Sequence, residues 1–219
     1  MVSRVPATVM SALAAELRAS PGRPLVTMYD DATAERVELS VATFDNWVCK
    51  LANLFGAEWE LEPRALVSIT MPAHWQSMVM TVAAWTAGLT VTLGPAASAA
   101  TYLSSWRDFA AEVPVQPDAL LLPRVVTGTD DALVDESGTS THADLVTRGL
   151  VAAEGLGLIP GGRLLTDLNP ASFSGIDAAL LAPLVTGSSV VLLVNADPER
   201  RERLAAQERV TCSRWTAPR

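Results

Sequence analysis

The sequence predicts an α/β protein of mainly parallel sheets flanked by helices, divided into two small lobes over residues 1–116 and 117–219. Strands that are apolar on both faces, helix-periodic segments between them, and turn residues at each switch all point to this fold class.

Leu25 to Tyr29 and Arg36 to Leu39 read as two strands joined through Asp30-Asp31-Ala32-Thr33, a hairpin. Ser40 then caps a helix whose Phe44, Trp47, Val48, Leu51, Leu54 and Phe55 recur at the spacing of one buried face, and Gly56 is expected to end it. Leu66 to Met71 reads as an interior strand. Pro72 opens a helix through Gln76 to Ala87, Gly88 stops it, and Leu89 to Leu93 is the next strand. The middle of the chain offers one short strand, Ala119 to Leu122. Alternation then resumes with a helix at Thr141 to Leu156, a strand at Arg163 to Leu168, a helix at Gly175 to Val185, a strand at Ser189 to Val194 and a helix at Asp197 to Glu208. A faint similarity between the segments starting at Pro24 and at Asp131 is read as chance or as shared local structure, since two loose copies do not make a repeat array.

Composition narrows the function. A net charge of −8 repels nucleic acid and anionic membranes, so neither is expected as a partner. No Asp, Glu, Lys or Arg occurs between Arg64 and Arg107, but the apolar run Met78 to Leu93 is too short to span a bilayer. Residues Met1 to Ala15 lack a secretory pattern, and a cytoplasmic location is expected. Cys49 and Cys212 have no partner at metal or disulfide spacing and read as buried thiols.

Catalytic residues are not apparent. His74 and His142 lie near helix starts without a partner at metal spacing, so no metal is expected. Ser137, Ser172 and Ser174 sit in no G-x-S-x-G elbow. The chain has one lysine, Lys50, beside fifteen arginines, and it falls in the middle of the helix after Ser40. Trp47, Trp75 and Trp85 fall on faces predicted to be buried.

Taken in order, several segments resemble the front part of the adenylate-forming superfamily of acyl-CoA synthetases, peptide-synthetase adenylation domains and luciferases. They are Thr43-Phe44-Asp45-Asn46, Ala87-Gly88-Leu89-Thr90-Val91, Thr141-His142-Ala143-Asp144-Leu145, Pro160-Gly161-Gly162-Arg163-Leu164-Leu165, and the string Leu181 to Leu192. The chain is also similar to short actinobacterial proteins of this type. The resemblance implies two lobes like the N-terminal subdomains of those enzymes. It places a remnant of the phosphate loop on Ser137, Gly138, Thr139, Ser140 and Thr141, and a remnant of the acyl pocket on Asn169, Ala171, Ser172 and Gly175.

Departures from the pattern bear on activity. The family loop reads roughly S-G-T-T-G-x-P-K-G, in which glycines bring backbone N–H groups to the phosphates and lysine supplies charge. Here Ser137-Gly138-Thr139-Ser140 runs straight into Thr141-His142 and the lysine is absent, while Asp130, Asp131, Asp135 and Glu136 would repel a triphosphate. The aromatic–His pair of acyl-activating relatives aligns with Ala171-Ser172. The sequence also ends before the family's small C-terminal domain. The expectation is a non-catalytic binding or assembly module, as a homodimer or docked on a larger enzyme, without an assigned cofactor. Half of a split adenylating enzyme and a sensor of nucleotide or acyl-CoA remain alternatives, with ATP, AMP or CoA as the ligands the resemblance implies.

Overall fold

The computed structural model describes residues 5–94, 101–103 and 126–216. Its elements run α1 (Val9–Ala19), β1 (Pro24–Asp30), β2 (Glu35–Ser40), α2 (Val41–Asn53), β3 (Leu66–Ile69), α3 (Trp75–Thr86), β4 (Thr90–Leu93), β5 (Thr101–Leu103), β6 (Asp131–Asp135), β7 (Gly138–Thr141), α4 (His142–Leu156), β8 (Arg163–Thr166), α5 (Ala182–Thr186), β9 (Ser189–Val194), α6 (Arg201–Gln207) and β10 (Cys212–Arg214). Two five-stranded sheets result, ordered β10-β8-β9-β1-β2 and β5-β3-β4-β6-β7. In each, four strands are parallel and an antiparallel hairpin strand closes one edge.

The two sheets share one plan. A hairpin leads through a capping hydroxyl into a helix, Ser40 into α2 and Thr141 into α4. Of the two readings of the faint similarity between the segments at Pro24 and Asp131, shared local structure is the one the fold supports. Each hairpin also completes the sheet that the other part of the chain builds: β1 pairs with β9, and β6 pairs with β4. Crossing over in this way gives a strand of each hairpin two neighbours and leaves fewer backbone groups at sheet edges.

The core lies between the sheets and the helices that cover them. Phe44, Leu51 and Leu54 from the α2 segment and Val79, Met80 and Trp85 from α3 are fully buried within it. β3 and β4 are buried along almost their whole length, with Ser68, Thr90 and Thr92 buried beside their apolar residues. α4 approaches α5 closely: a Cβ on Gly149 would lie 2.9 Å from Val185 Cγ2. On the far face of the first sheet, Tyr29, Leu165, Val191 and Leu193 pack with Leu204 of α6.

Several expectations are corrected. Gly56 does not end the helix after Ser40; the chain continues as a π-turn over Leu54–Glu58, and Glu60 then takes a left-handed φ of 50°. α3 begins at Trp75 rather than near Pro72, because the imidazole of His74 accepts the Gln76 N–H and caps the helix. The helix expected at Gly175 to Val185 is a π-turn, Asp177–Leu181, leading into α5, and the one at Asp197 to Glu208 begins with a 3-10 turn at Pro198–Arg200. Trp47, Cys49 and Cys212 are only half-buried. α1, β5, β6, β7 and β10 were not expected from the sequence; β5 and β10 are three residues each, too short to show a period. The strand expected at Ala119 to Leu122 and the lobe boundary at 116/117 lie outside the described residues.

Candidate functional site

The segment Ser137 to Thr141 is built into a closed hairpin. Asp135 pairs with Gly138, Val134 with Thr139 and Leu133 with Ser140, so only Glu136 and Ser137 form the connection. The Asp135 carboxylate accepts the Ser137 N–H at 2.8 Å and the Ser137 hydroxyl at 2.5 Å. Those bonds hold its pKa below the usual carboxylate range, with the Ser137 hydroxyl as the main cause. A charged carboxylate thus occupies the turn and takes the donors that a phosphate would need. At the other end, Thr141 is committed to a capping box: its Oγ1 accepts the Asp144 N–H, and the Asp144 carboxylate accepts the Thr141 N–H at 2.8 Å.

Sequence reasoning found no cation for this loop, and the fold supplies one. Arg148, one turn beyond Asp144 on α4, directs its guanidinium between β6, β7 and the π-turn. It lies 3.6 Å from Asp135 and 3.0 Å from Asp177, and donates to Ser140 Oγ at 3.3 Å. The i, i+4 step from Asp144 marks Arg148 as sharing a helix face with the cap; its partner Asp177, 29 residues on, required the tertiary structure. Two carboxylates surround one guanidinium, so the positive charge is already compensated.

Asn169, Ala171, Ser172 and Gly175 do come together, in a tight loop after β8. Asn169 Oδ1 accepts the Ala171 N–H at 2.9 Å, the Asn169 carbonyl accepts Ser172 Oγ at 2.7 Å, and Ser172 Oγ accepts the Gly175 N–H at 3.1 Å. Gly175 is required by space, since a Cβ there would sit 2.1 Å from the Asn169 carbonyl oxygen. Asn169 Nδ2 donates to the Met71 carbonyl at 2.9 Å and so ties this loop to the corresponding loop after β3. Beside it, a cavity of about 480 Å³ is bounded by Leu156, Leu168, Ser174, Asp177, Arg214 and Trp215.

The remaining candidates lie apart. Lys50 is half-buried on α2 with its ammonium 5.3 Å from the centre of the Trp47 ring. Burial, then the charge of Asp45, pushes the neighbouring Cys49 thiol up to about 11, which leaves it unreactive at neutral pH. His74 is occupied as a cap, and burial lowers its pKa. Among the described residues, no group of three His, Cys, Asp or Glu side chains is placed to hold a metal ion, and no helix is long and apolar enough to cross a membrane.

This architecture is the N-terminal fold of adenylate-forming ligases. It superposes on the fatty acyl-adenylate ligase of L. pneumophila with a TM-score of 0.80 at 12% identity, over 94% of this chain and 44% of the ligase. The N-terminal domain of FACL13 from Mycobacterium tuberculosis gives 0.74 at 12% identity, over 93% of this chain and 61% of that domain. The chain therefore spans less than two thirds of either protein. No family model matches the sequence. A TIGR03089 family protein of Mycobacterium tuberculosis is 30% identical over 225 residues, covering 89% of this chain and 93% of the relative. The chain belongs to the TIGR03089 family.

Proposed function

We propose that this chain is a non-catalytic binding or assembly module that uses an adenylate-forming scaffold, as a homodimer or docked on a larger enzyme. The observation that carries this reading is the closed β6–β7 hairpin, in which Asp135 occupies the turn and Arg148 is paired with Asp135 and Asp177. Adenylyl transfer needs donors and uncompensated positive charge where charge builds up on the phosphates. Here the Ser137 and Thr141 N–H groups are bonded internally, and the nearby cation is neutralised.

The test is carboxylate-dependent exchange of pyrophosphate into ATP by the purified chain, across short, medium and long fatty acids and amino acids. Exchange at background level is expected; exchange above it with any acid sinks the proposal. Activity restored only by a co-purifying chain would instead make this protein half of a split adenylating enzyme.

The cavity beside Ser174 and Asp177 favours a second reading, a sensor of nucleotide or acyl-CoA. A thermal shift with ATP, AMP, CoA and acyl-CoA separates the two. A ligand of that site present at 100 times its dissociation constant stabilises the fold by about 2.7 kcal/mol, whereas the module reading expects no shift.

A further inference from the structure

A cavity of about 590 Å³ lies at the opposite end of the second sheet from the β6–β7 turn. Its lining comes from the N-terminal ends of three parallel strands and the first turn of α4: Arg64 before β3, Gly88 before β4, Asp130 and Asp131 at the start of β6, and His142. The length of β6 puts Asp131 and Asp135 roughly 13 Å apart, so this cavity is separate from the hairpin turn. Its volume falls within the range of small-molecule sites.

His142 is the least expected member. It is 1% exposed, and its Nδ1 has no hydrogen-bond partner. Burial lowers its pKa to about 4, so the ring is neutral at physiological pH. Thr141, not His142, caps α4, and the imidazole makes an edge-on approach to Trp85 with centroids 6.2 Å apart. An orphaned buried polar atom costs free energy that a ligand donor could recover.

Arg64 shows a second anomaly. It holds a left-handed φ of 67°, unusual for a residue with a side chain, and its side chain, 75% exposed, brings the guanidinium 3.4 Å from Asp130 Oδ1. The cavity thus carries two carboxylates, one loosely held and displaceable cation, and an imidazole without a partner.

We infer that this cavity binds a small organic cation, an amidine or heteroaromatic amine, whose N–H groups face Asp130 and Asp131 while its body fills the cavity beside the buried His142. Such a ligand would take over the role of the Arg64 guanidinium at Asp130 and bring donors toward the imidazole.

Benzamidine is the probe, with benzamide and benzoate as neutral and anionic controls of similar shape. Calorimetry on the full chain should give saturable benzamidine binding at least about tenfold tighter than benzoate, as a charge-assisted bond implies. The chain has only two histidines, so ring resonances are readily assigned. Those of His142 should move on titration while those of His74 stay fixed. Asp131→Asn, at an exposed position, should weaken benzamidine; Arg64→Gly, which suits the left-handed backbone, should tighten it by removing the competing cation. No saturable binding, equal binding of benzoate, unmoved His142 resonances, an indifferent Asp131→Asn or a weakened Arg64→Gly would each overturn the inference.

Discussion

The two hairpins occupy equivalent edges of the two sheets, yet they differ in what surrounds them. The first, β1–β2, is joined through residues 31–34, and its connection is tied to later parts of the chain: the Asp31 carboxylate accepts the Asp197 N–H and pairs with Arg200, and Asn195 donates to Asp30 at 2.8 Å. The second, β6–β7, is joined by two residues and satisfies itself through Asp135 and Ser137. Besides its pairing with β4, it is held by Arg148 on one side and by Trp85 on the other, whose indole N–H donates to the Ala132 carbonyl at 2.8 Å. A shared strand–turn–strand–helix plan therefore does not fix what a connection can bind. That depends on whether its donors are spent within the turn.

This comparison can be broken most directly at Trp85. Trp85→Ala removes a fully buried ring and the bond that seats the second hairpin, and should cost about 3–5 kcal/mol in denaturant unfolding. Hydrogen exchange in β6 and β7 should accelerate more than in β1 and β2. Equal acceleration in both hairpins would show that they are not supported independently.

The next largest effect depends on pH. The unfolded chain's imidazole takes up a proton near pH 6.5, while that of folded His142 stays neutral down to about pH 4. The unfolded state therefore binds more protons in this window, and stability falls as pH drops from about 6.5 to 4, by roughly 3 kcal/mol at most. His142→Phe should flatten that part of the profile, and an unchanged slope would remove His142 as its cause. Nothing comparable is expected for the first hairpin, whose capping residue is followed by Val41.

The smallest effect compares the caps. Ser40 accepts the Thr43 N–H without a reciprocal bond, whereas Thr141 and Asp144 bond each other in both directions. Thr141→Ala should cost about 1–2 kcal/mol and Ser40→Ala about 0.5–1 kcal/mol, measured by thermal unfolding. Equal losses would mean that the reciprocal bond adds nothing.

Much of the fold was legible in the chain. Ser40 before an amphipathic run, Gly88 after α3, and the apolar strands at Leu66 and Ser189 carry their structure locally, because capping and periodicity act over a few residues; the helix after residue 141 was legible too, but its cap is Thr141 rather than Thr139 or Ser140. The π-turns at Leu54 and Asp177 were not legible, since they reflect packing around the core rather than the preference of Gly56 or Gly175. The candidate site was readable in part. The loss of the loop's glycines and lysine was visible in Ser137 to His142; the clamp on Arg148 was not, because Asp177 enters from another element. His142 could be named from its place near a helix start, but its missing partner and the cavity beside it follow from strand ends that are distant in the chain.

The sequence alone therefore determined the α/β class, the first hairpin, the Ser40 cap and the absence of a phosphate-loop lysine, all properties of short windows. The tertiary structure decided that the two hairpins exchange sheets, that Arg148 lies between Asp135 and Asp177, and that His142 borders a cavity. Those outcomes rest on contacts between residues far apart in the chain, set by how β1 and β6 find their parallel neighbours β9 and β4.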